Sequence, residues 1–271
     1  MERIPVEGGE LEGRIDGTGE PLLCIHGSVI ADTFHCLRIR PEVTGRYRLI
    51  TYNRRGFAGS AHHTGPFSIR QQAADAAAVL RHFGVERAHV AGHSYGGATA
   101  LQLALDAPSL VRSLTLLEPA LFNVPSGEED VGAADPVVAI FQAGDSAGAV
   151  AAFLDMAFDN TDWRPRVEGN LPHGWWEQSV ADAATLFEVE FPAIGEWLFS
   201  EAEAKRVNVP VLSILGGLSG AFFQEGQEMM KGWWPQIECA TLPGAAHDLQ
   251  YANPGGAAEV MLKFLTKHPM N

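Results

Sequence analysis

One short segment, Gly92-His93-Ser94-Tyr95-Gly96, constrains the fold of this chain more than any other. It follows an apolar run typical of a buried strand and precedes a helical pattern from Ala98 to Ala107. A serine at such a strand-to-helix turn must adopt a strained backbone, and the residues two positions away must be small to avoid collision. The turn would lift the Ser94 hydroxyl above a sheet edge and place the next backbone N–H at a helix N-terminus. The segment therefore predicts that Ser94 is a nucleophile.

The rest of the chain alternates short apolar runs with amphipathic stretches, which is typical of a parallel sheet with crossover helices. An antiparallel hairpin over Arg3–Asp16, centred on Gly8-Gly9, would form one edge of that sheet. The predicted buried strands are Pro21–Ile25, Tyr47–Tyr52, Ala88–Gly92, Ser113–Leu117, Val209–Leu215 and Ile237–Leu242. The predicted helices of this alternating pattern are Ile69–Phe83, Ala98–Ala107, Gln224–Trp234 and Gly255–Lys267.

Residues 121–205 break this alternation, because prolines divide them into several short predicted helices that are rich in aromatic residues. We interpret this segment as a helical cap domain inserted after strand six, above the carboxyl ends of the strands. Residues 1–120 and 206–271 would then form the core domain. A single aromatic residue in such a segment usually packs within the cap, but together they predict an apolar pocket between cap and core. The cap residues that we predict to contact substrate are Phe122, Trp175 and Trp176.

Composition disfavours several classes of partner. Hydrophobic residues make up 46% of the chain, enough for a sizeable core, and charged residues make up 19%, too few for a disordered chain. The net charge of −14, from 19 basic and 33 acidic residues, disfavours nucleic acid and anionic membranes as partners, because both attract basic surfaces. We attribute the acidic balance to solubility.

The cysteines and the N-terminus indicate a cytoplasmic protein. Cys24, Cys36 and Cys239 are far apart and odd in number, which argues for reduced thiols and against a disulfide framework. The N-terminal residues lack an apolar signal core, and no run approaches the ~20 apolar residues of a membrane span. The sequence has neither an H-E-x-x-H metal motif nor a G-x-G-x-x-G dinucleotide motif. We therefore expect no metal and no other cofactor.

Four motifs are spread over nearly the whole chain: His26-Gly27-Ser28 after a strand, the stretch Tyr52–Ser60, the turn at Ser94, and Gly244–His247 near the end. Together they resemble the α/β-hydrolase fold family, in particular its cap-bearing esterase, lactonase and haloperoxidase-like group. The resemblance implies a mostly parallel sheet of the eight-stranded type with flanking helices. The second motif usually reads Tyr-Asp-Arg-Arg-Gly in that family, and Asn53 departs from it. Such motifs are specific to the fold and much less so to the substrate.

The resemblance also implies roles for residues around the nucleophile. His247 lies in the loop after the last predicted strand and would be the general base, since the order of serine first and histidine last fits this fold. The oxyanion hole would combine the backbone N–H of Tyr95 with that of Ser28. Gly27, just before Ser28, would let that loop approach the substrate closely.

The acid of this triad is not where the family pattern places it. That pattern puts a carboxylate after the penultimate strand, where this chain reads Gly216-Gly217-Leu218-Ser219. A hydroxyl group cannot stabilise an imidazolium as an anion does. Glu118 ends an earlier predicted strand, and some members of the fold carry their acid there, so Glu118 is our candidate. Glu225, within a predicted helix, and Asp248, directly beside the base, are weaker candidates.

These residues predict a serine hydrolase that cleaves a small apolar carboxylic ester or lactone through an acyl-enzyme intermediate. A cofactor-free haloperoxidase or perhydrolase, with peroxide in place of water, is an alternative on the same triad. Haloalkane dehalogenation is disfavoured, because the turn carries a serine rather than an aspartate. A non-catalytic small-ligand receptor is a further alternative, supported by Ser219 and opposed by Ser94 and His247. The sequence carries no signal for the oligomeric state.

Overall fold

The computed structural model describes residues 1–62, 67–158 and 162–270. Its strands, in chain order, are β1 (Glu2–Val6), β2 (Gly9–Asp16), β3 (Glu20–Ile25), β4 (Tyr47–Asn53), β5 (Ala88–His93), β6 (Val111–Leu117), β7 (Val211–Gly216) and β8 (Glu238–Leu242). They form one eight-stranded sheet in the spatial order β1-β2-β4-β3-β5-β6-β7-β8. The predicted strands are confirmed, with ends shifted by at most two residues.

The pairing of the strands determines which strand ends lie at the same edge of the sheet. β1 pairs antiparallel with β2, as the predicted hairpin requires, and β2 pairs antiparallel with β4. The other neighbouring pairs are parallel. Parallel neighbours need long crossover connections, which explains the amphipathic stretches between the apolar runs. The carboxyl ends of β3 to β8 therefore lie at the same edge of the sheet.

Helices fill these connections, and the predicted ones are confirmed with ends shifted by at most three residues. The serine and glutamine that flank the start of α3 form a reciprocal capping box, which explains where this helix begins. Among the described residues, no helix combines the length and apolar character needed to cross a membrane. The α-helices are α1 (His35–Arg38), α2 (Pro41–Thr44), α3 (Ile69–His82), α4 (Tyr95–Asp106), α5 (Gly127–Ala133), α6 (Asp135–Gln142), α7 (Ser146–Ala157), α8 (Arg164–Val167), α9 (Trp175–Ala181), α10 (Phe191–Gly195), α11 (Glu201–Ala204), α12 (Ala221–Trp233), α13 (Leu249–Ala252) and α14 (Pro254–Lys267).

The sheet is covered on both faces, as its continuous apolar strands suggest. Side chains alternate across a strand, so Leu22 and Cys24 of β3 join one apolar cluster while Leu23 and Ile25 join another. The first cluster includes residues of α14, and the second includes residues of α3, α4 and α12. Both faces of the central strands are therefore dry, which fixes their carboxyl ends as a rigid platform.

The chain between β6 and β7, residues 118–210 and called the insertion below, contains α5 to α11. It also contains a 3₁₀-helix at Glu168–Asn170 and a π-helix at Thr185–Glu190. Buried insertion residues such as Phe158 and Trp163 share one apolar cluster with Leu249 near the last helices. The insertion follows the sixth strand, as expected. The division into a core domain and a cap domain at 121–205 stays a prediction.

Candidate active site

Ser94 occupies a strained turn between β5 and α4. Its backbone angles are φ 54° and ψ −121°, a conformation that residues other than glycine rarely adopt. A Cβ atom on Gly92 would collide with the carbonyl oxygen of Gly96, and one on Gly96 would collide with that of Ile25. These two positions therefore require glycine. The Ser94 N–H donates to the Leu117 carbonyl at 3.0 Å, which ties the turn to the end of β6.

His247 and Glu118 form a direct buried pair. Glu118 Oε2 lies 2.7 Å from His247 Nδ1, and Glu118 Oε1 accepts a hydrogen bond from the Gly216 N–H at 2.7 Å. Only 5% of His247 and 3% of Glu118 are exposed, so water does not compete for this contact. Since the carboxylate accepts from Nδ1–H, the lone pair of the neutral ring lies on Nε2. This is the tautomer that a general base for a serine hydroxyl needs.

Three neighbours hold the His247 loop in place. The Phe223 ring stacks on the imidazole, with centroids 4.0 Å apart and planes 12° apart. His93 Nε2 donates to the His247 carbonyl at 2.9 Å. Asp248 accepts from the Ala246 N–H at 2.8 Å and from Arg166 of the insertion at 2.6 Å. The Asp248 carboxylate thus stabilises the His247 loop.

Burial keeps the histidines of this site neutral. It lowers the pKa of His247 below the ordinary value, against the opposing charge of Asp248. Burial also lowers the pKa of His93 well below the ordinary value, and the neighbouring His247 acts in the same direction. At neutral pH, His247 is therefore available to accept a proton.

Ser94 and His247 line the same cavity, whose volume of about 20 Å³ is close to that of one water molecule. Two polar neighbours, Ser28 and His93, line it too. The rest of its wall is apolar or aromatic: Phe153, Leu154, Ala157, Phe158 and Tyr251. Most of that apolar wall belongs to the insertion, so core and insertion meet above the serine.

The residues predicted for the oxyanion hole lie beside this cavity. Tyr95 is the first residue of α4, and the N–H groups of a helix's first turn have no acceptor within the helix. Ser28 follows β3 and lines the cavity. A Cβ atom on Gly27 would lie 3.1 Å from the Ser94 Cβ, a tight contact, so glycine favours the close approach of the two backbones. The structure thus brings Gly27, Ser28 and Tyr95 together around Ser94.

The three predicted substrate contacts of the insertion do not line this cavity. Trp175 lines a separate cavity of about 260 Å³ beside the carboxyl end of β4. Trp176 packs on the guanidinium of Arg164, 4.7 Å from the ring centroid. Phe122 packs against Phe222 with ring centroids 4.9 Å apart. Both tryptophans lie in α9, and no residue of α9 lines the cavity at Ser94.

The insertion residues that do line the cavity lie in and just after α7: Phe153, Leu154, Ala157 and Phe158. Phe153 and Phe158 are conspicuous aromatic residues in the sequence, but their spacing gives no sign of which helix approaches the serine. Phe223 stacks on the histidine from α12, and no motif signals that contact. The positions of these side chains depend on how the helices pack, so the sequence motifs could not identify them.

The remaining acidic candidates have other partners in the described part of the chain. Glu225 accepts from the backbone N–H and the hydroxyl of Ser126, at 2.9 and 2.8 Å. Asp248 pairs with Arg166, as described above. Ser219 is buried, and its hydroxyl has no hydrogen-bond partner among the described residues. The carboxylate that reaches His247 Nδ1 is that of Glu118.

Backbone strain concentrates at this site. Among the described residues, four that are not glycine have positive φ: Val29, Ala58, Ser94 and Glu118. Ser94 and Glu118 follow β5 and β6, and Val29 follows Ser28 in the loop after β3. Positive φ is costly for a β-branched residue such as Val29, whose φ is 67°. Three of the four strained residues therefore lie in the turns and loops that follow β3, β5 and β6.

A family model described as alpha/beta hydrolase fold matches residues 20–254. A protein of Azorhizobium caulinodans assigned as the carbamate hydrolase RutD is 40% identical over 111 residues. That alignment covers 40% of this chain, and the chain spans 40% of the length of that relative.

Two solved structures are similar over almost the full length of the chain. The enol-lactonase from Burkholderia xenovorans LB400 has a TM-score of 0.80 at 21% identity, covering 98% of this chain and 100% of that one. A thermophilic esterase from Thermogutta terrifontis has a TM-score of 0.80 at 20% identity, covering 99% of this chain and 100% of that one. At these identities the likeness establishes the fold.

Proposed function

This chain belongs to the alpha/beta hydrolase fold family, and we propose that it is a serine hydrolase that cleaves a carboxylic ester or a lactone. The observation that carries the proposal is the 2.7 Å contact between Glu118 Oε2 and His247 Nδ1, made by a histidine that shares a cavity with Ser94. Nucleophilic acyl transfer needs a carboxylate that contacts an imidazole, and an imidazole close to the serine.

The reaction begins when Ser94 Oγ attacks the carbonyl carbon of the substrate and its proton passes to His247 Nε2. The bond between that carbon and the alkoxy oxygen then breaks, and His247 returns the proton to the departing oxygen. This step leaves an acyl group on Ser94. Water adds to the acyl carbon while His247 takes one of its protons, and the carboxylic acid leaves as the serine regains its hydrogen.

Glu118 carries the counter-charge of this cycle. Each time His247 becomes an imidazolium, the adjacent carboxylate stabilises the positive charge. The N–H of Gly216 fixes the other carboxylate oxygen, so the acid does not rotate away from the ring. The backbone N–H groups of Tyr95 and Ser28 stabilise the negative oxygen of the tetrahedral intermediate.

The walls of the cavity support a small apolar acyl group. Phe153, Leu154 and Ala157 offer no polar partner, so a charged or strongly polar acyl group would lose its hydration without compensation. The small volume favours a short chain. Because similar structures belong to an enol-lactonase and an esterase, lactones and esters are the substrates to assay first.

A fluorophosphonate probe tests the proposal, because it modifies only an activated serine. We expect rapid, stoichiometric labelling of the wild type and none of Ser94→Ala. Hydrolysis of p-nitrophenyl esters and of lactones at constant pH then identifies the substrate class. A wild type that resists the probe would favour a non-catalytic receptor, whereas turnover that requires added peroxide would favour a perhydrolase.

A further inference from the structure

Arg54 is a fully buried cation whose side chain reaches the loop after β3. Its Nε donates to the His26 carbonyl at 3.0 Å, and its Nη2 donates to the Gly27 carbonyl at 2.8 Å. The Arg54 backbone N–H also donates to His26 Nε2 at 2.8 Å, and His26 Nδ1 donates to the Gly27 carbonyl at 2.7 Å. One arginine therefore holds two successive carbonyl groups of this loop.

These contacts fix the direction of a backbone N–H. The Gly27 carbonyl and the Ser28 N–H belong to one peptide group, and no cis peptide bond occurs among the described residues. In a trans peptide the N–H points opposite to the C=O. Because Arg54 holds the Gly27 carbonyl on one side, the Ser28 N–H points to the other side. Ser28 lines the cavity there, together with Ser94.

Arg54 is itself fixed from the insertion. Its Nη1 lies 2.6 Å from Glu190 Oε1, and the two side chains are only 0% and 1% exposed. Glu190 ends the π-helix of the insertion. The guanidinium also packs on two rings, 4.9 Å from the centroid of Phe57 and 4.6 Å from that of Tyr95. Tyr95 is the residue that would supply the other oxyanion donor.

The energy of the pair points to a geometric role. Removing two charges from water costs several kcal/mol per ion, and apolar residues of similar volume often stabilise a protein equally well. A buried pair is thus poorly explained by stability alone. A bidentate guanidinium is suited to holding two carbonyl oxygens at fixed directions, which an ammonium group cannot do in the same way.

We propose that Arg54 is a positioning residue for the oxyanion hole, and that Glu190 anchors it from the insertion. Arg54 keeps the Gly27–Ser28 peptide turned so that the Ser28 N–H faces the oxygen of the tetrahedral intermediate. Glu190 holds the guanidinium against the two carbonyl groups, so the insertion sets the geometry of a loop that belongs to the sheet. This inference rests on the proposed hydrolase function.

The variant Arg54→Lys keeps the positive charge and removes the planar guanidinium that contacts both carbonyl groups. The chain offers a matched control in Arg55→Lys, because Arg55 is also buried and forms a bidentate pair with Asp75, including an Nη2–Oδ1 contact of 2.8 Å. In the described part of the chain its side chain contacts Asp75, the Glu7 carbonyl and the Phe67 ring, all of which lie outside the loop after β3. Active sites are counted with the fluorophosphonate probe, so that rates refer to folded enzyme only.

Three quantities are measured for each variant: kcat, KM, and the inhibition constant of methylboronic acid. The boronate forms a tetrahedral anion on the serine and therefore reports on the oxyanion hole, whereas KM mainly reports on binding of the neutral ester. Loss of one oxyanion donor lowers kcat by about 100- to 1000-fold. Since Arg54→Lys misaligns the donor without removing it, we expect kcat to fall ~30-fold, the boronate constant to rise by a similar factor, and KM to change little.

Arg55→Lys should leave all three quantities within about 2-fold of the wild type, even where its thermal stability is lower. If Arg54→Lys does not fold, Glu190→Gln keeps Arg54 and provides the test. We expect kcat to fall about 5-fold in Glu190→Gln and the boronate constant to rise in proportion, since a neutral amide holds the guanidinium less firmly.

Unchanged kcat and boronate affinity in the folded variants would overturn the inference, as would equal losses in Arg55→Lys. A lower kcat with unchanged boronate affinity would also overturn it, because the oxyanion hole would then be intact. Failure of the proposed function looks different: the wild type itself would neither react with the fluorophosphonate nor hydrolyse esters, and the inference would fall with it.

Discussion

Ser94 and Glu118 lie at the ends of two adjacent strands, where Ser94 lines the cavity and Glu118 contacts His247. Phe153 and Leu154 reach the cavity from a helix of the insertion. The strand ends are rigid, because both faces of the sheet are packed and the turn at Ser94 is tied to the end of β6. The insertion is attached by separate contacts, among them Arg166 to Asp248 and Glu190 to Arg54. We therefore assign chemistry to the strand ends and selectivity to the insertion.

The largest effect should follow from Ser94→Ala, at the centre of the strand-end region. Loss of the nucleophile should lower kcat by about 10⁶-fold, since the remaining groups cannot form the acyl-enzyme. Ser219→Ala is the matched control, because it removes a hydroxyl from a buried serine near the same strand ends. Steady-state hydrolysis and probe labelling provide the measurement. Substantial turnover in Ser94→Ala would refute the assignment of the nucleophile.

The second effect concerns the acid. Glu118→Gln keeps the shape of the side chain but leaves the imidazolium without a counter-charge, so kcat should fall by about 10⁴-fold. Ser219→Ala should change kcat far less. Adding Ser219→Asp to Glu118→Gln should restore part of the activity, because Ser219 lies beside Gly216, whose N–H binds Glu118. Near-normal kcat in Glu118→Gln would show that another carboxylate completes the triad.

The sequence predicts the strand-end region well because local rules control it. Gly92 is required by its contact with Gly96, four residues away, and the strand ends follow from apolar runs. Gly96 is required by the carbonyl of Ile25 in β3, so the sequence indicates this contact only through the motif around Ser94. Glu118 could be proposed as the acid because the usual position carries Ser219 and some members of the fold carry their acid at the end of this earlier strand. Arg54 and Glu190 lie far apart in the chain, so no local sequence pattern predicts that they form a pair.

The insertion illustrates what the sequence could not provide. Its aromatic residues indicate many apolar contacts, yet Trp175 and Trp176 do not line the cavity at Ser94, whereas residues of α7 do. Helix packing depends on side-chain fit over a whole surface, so composition does not tell which helix faces the cavity. The positive φ of Val29 likewise follows from the path of the loop after β3 rather than from its residue type.

Lowering the pH should destabilise the folded chain through the buried histidines near the strand ends. Burial lowers the pKa of His26, His93 and His247, all of which lie at or after strand ends. Below the ordinary histidine pKa of 6.5 the unfolded chain binds protons that the folded chain does not, so the free energy of unfolding falls as the pH falls. Each such histidine contributes up to ~1.4 kcal/mol per pH unit.

Urea unfolding at several pH values between 7.5 and 4.5 measures this slope. His93→Gln removes one titrating group and keeps a side chain that can donate to the His247 carbonyl, so its slope should be shallower by about one proton. A free energy of unfolding that does not change over this range would contradict the assignment of neutral, buried histidines. An equal slope in the wild type and in His93→Gln would exclude His93 as a contributor.

The smallest effect tests the insertion, by comparing two of its aromatic residues. Phe153 lines the cavity at Ser94, whereas Trp176 packs on Arg164. Because the cavity holds little more than a water molecule, the wild type should prefer acetate esters to hexanoate esters. Phe153→Ala opens room for two or three more methylene groups, so the ratio of kcat/KM for hexanoate to that for acetate should rise ~10-fold. Trp176→Ala should leave this ratio unchanged. If both variants altered it equally, selectivity would arise from the stability of the insertion as a whole and not from the wall that α7 presents to the serine.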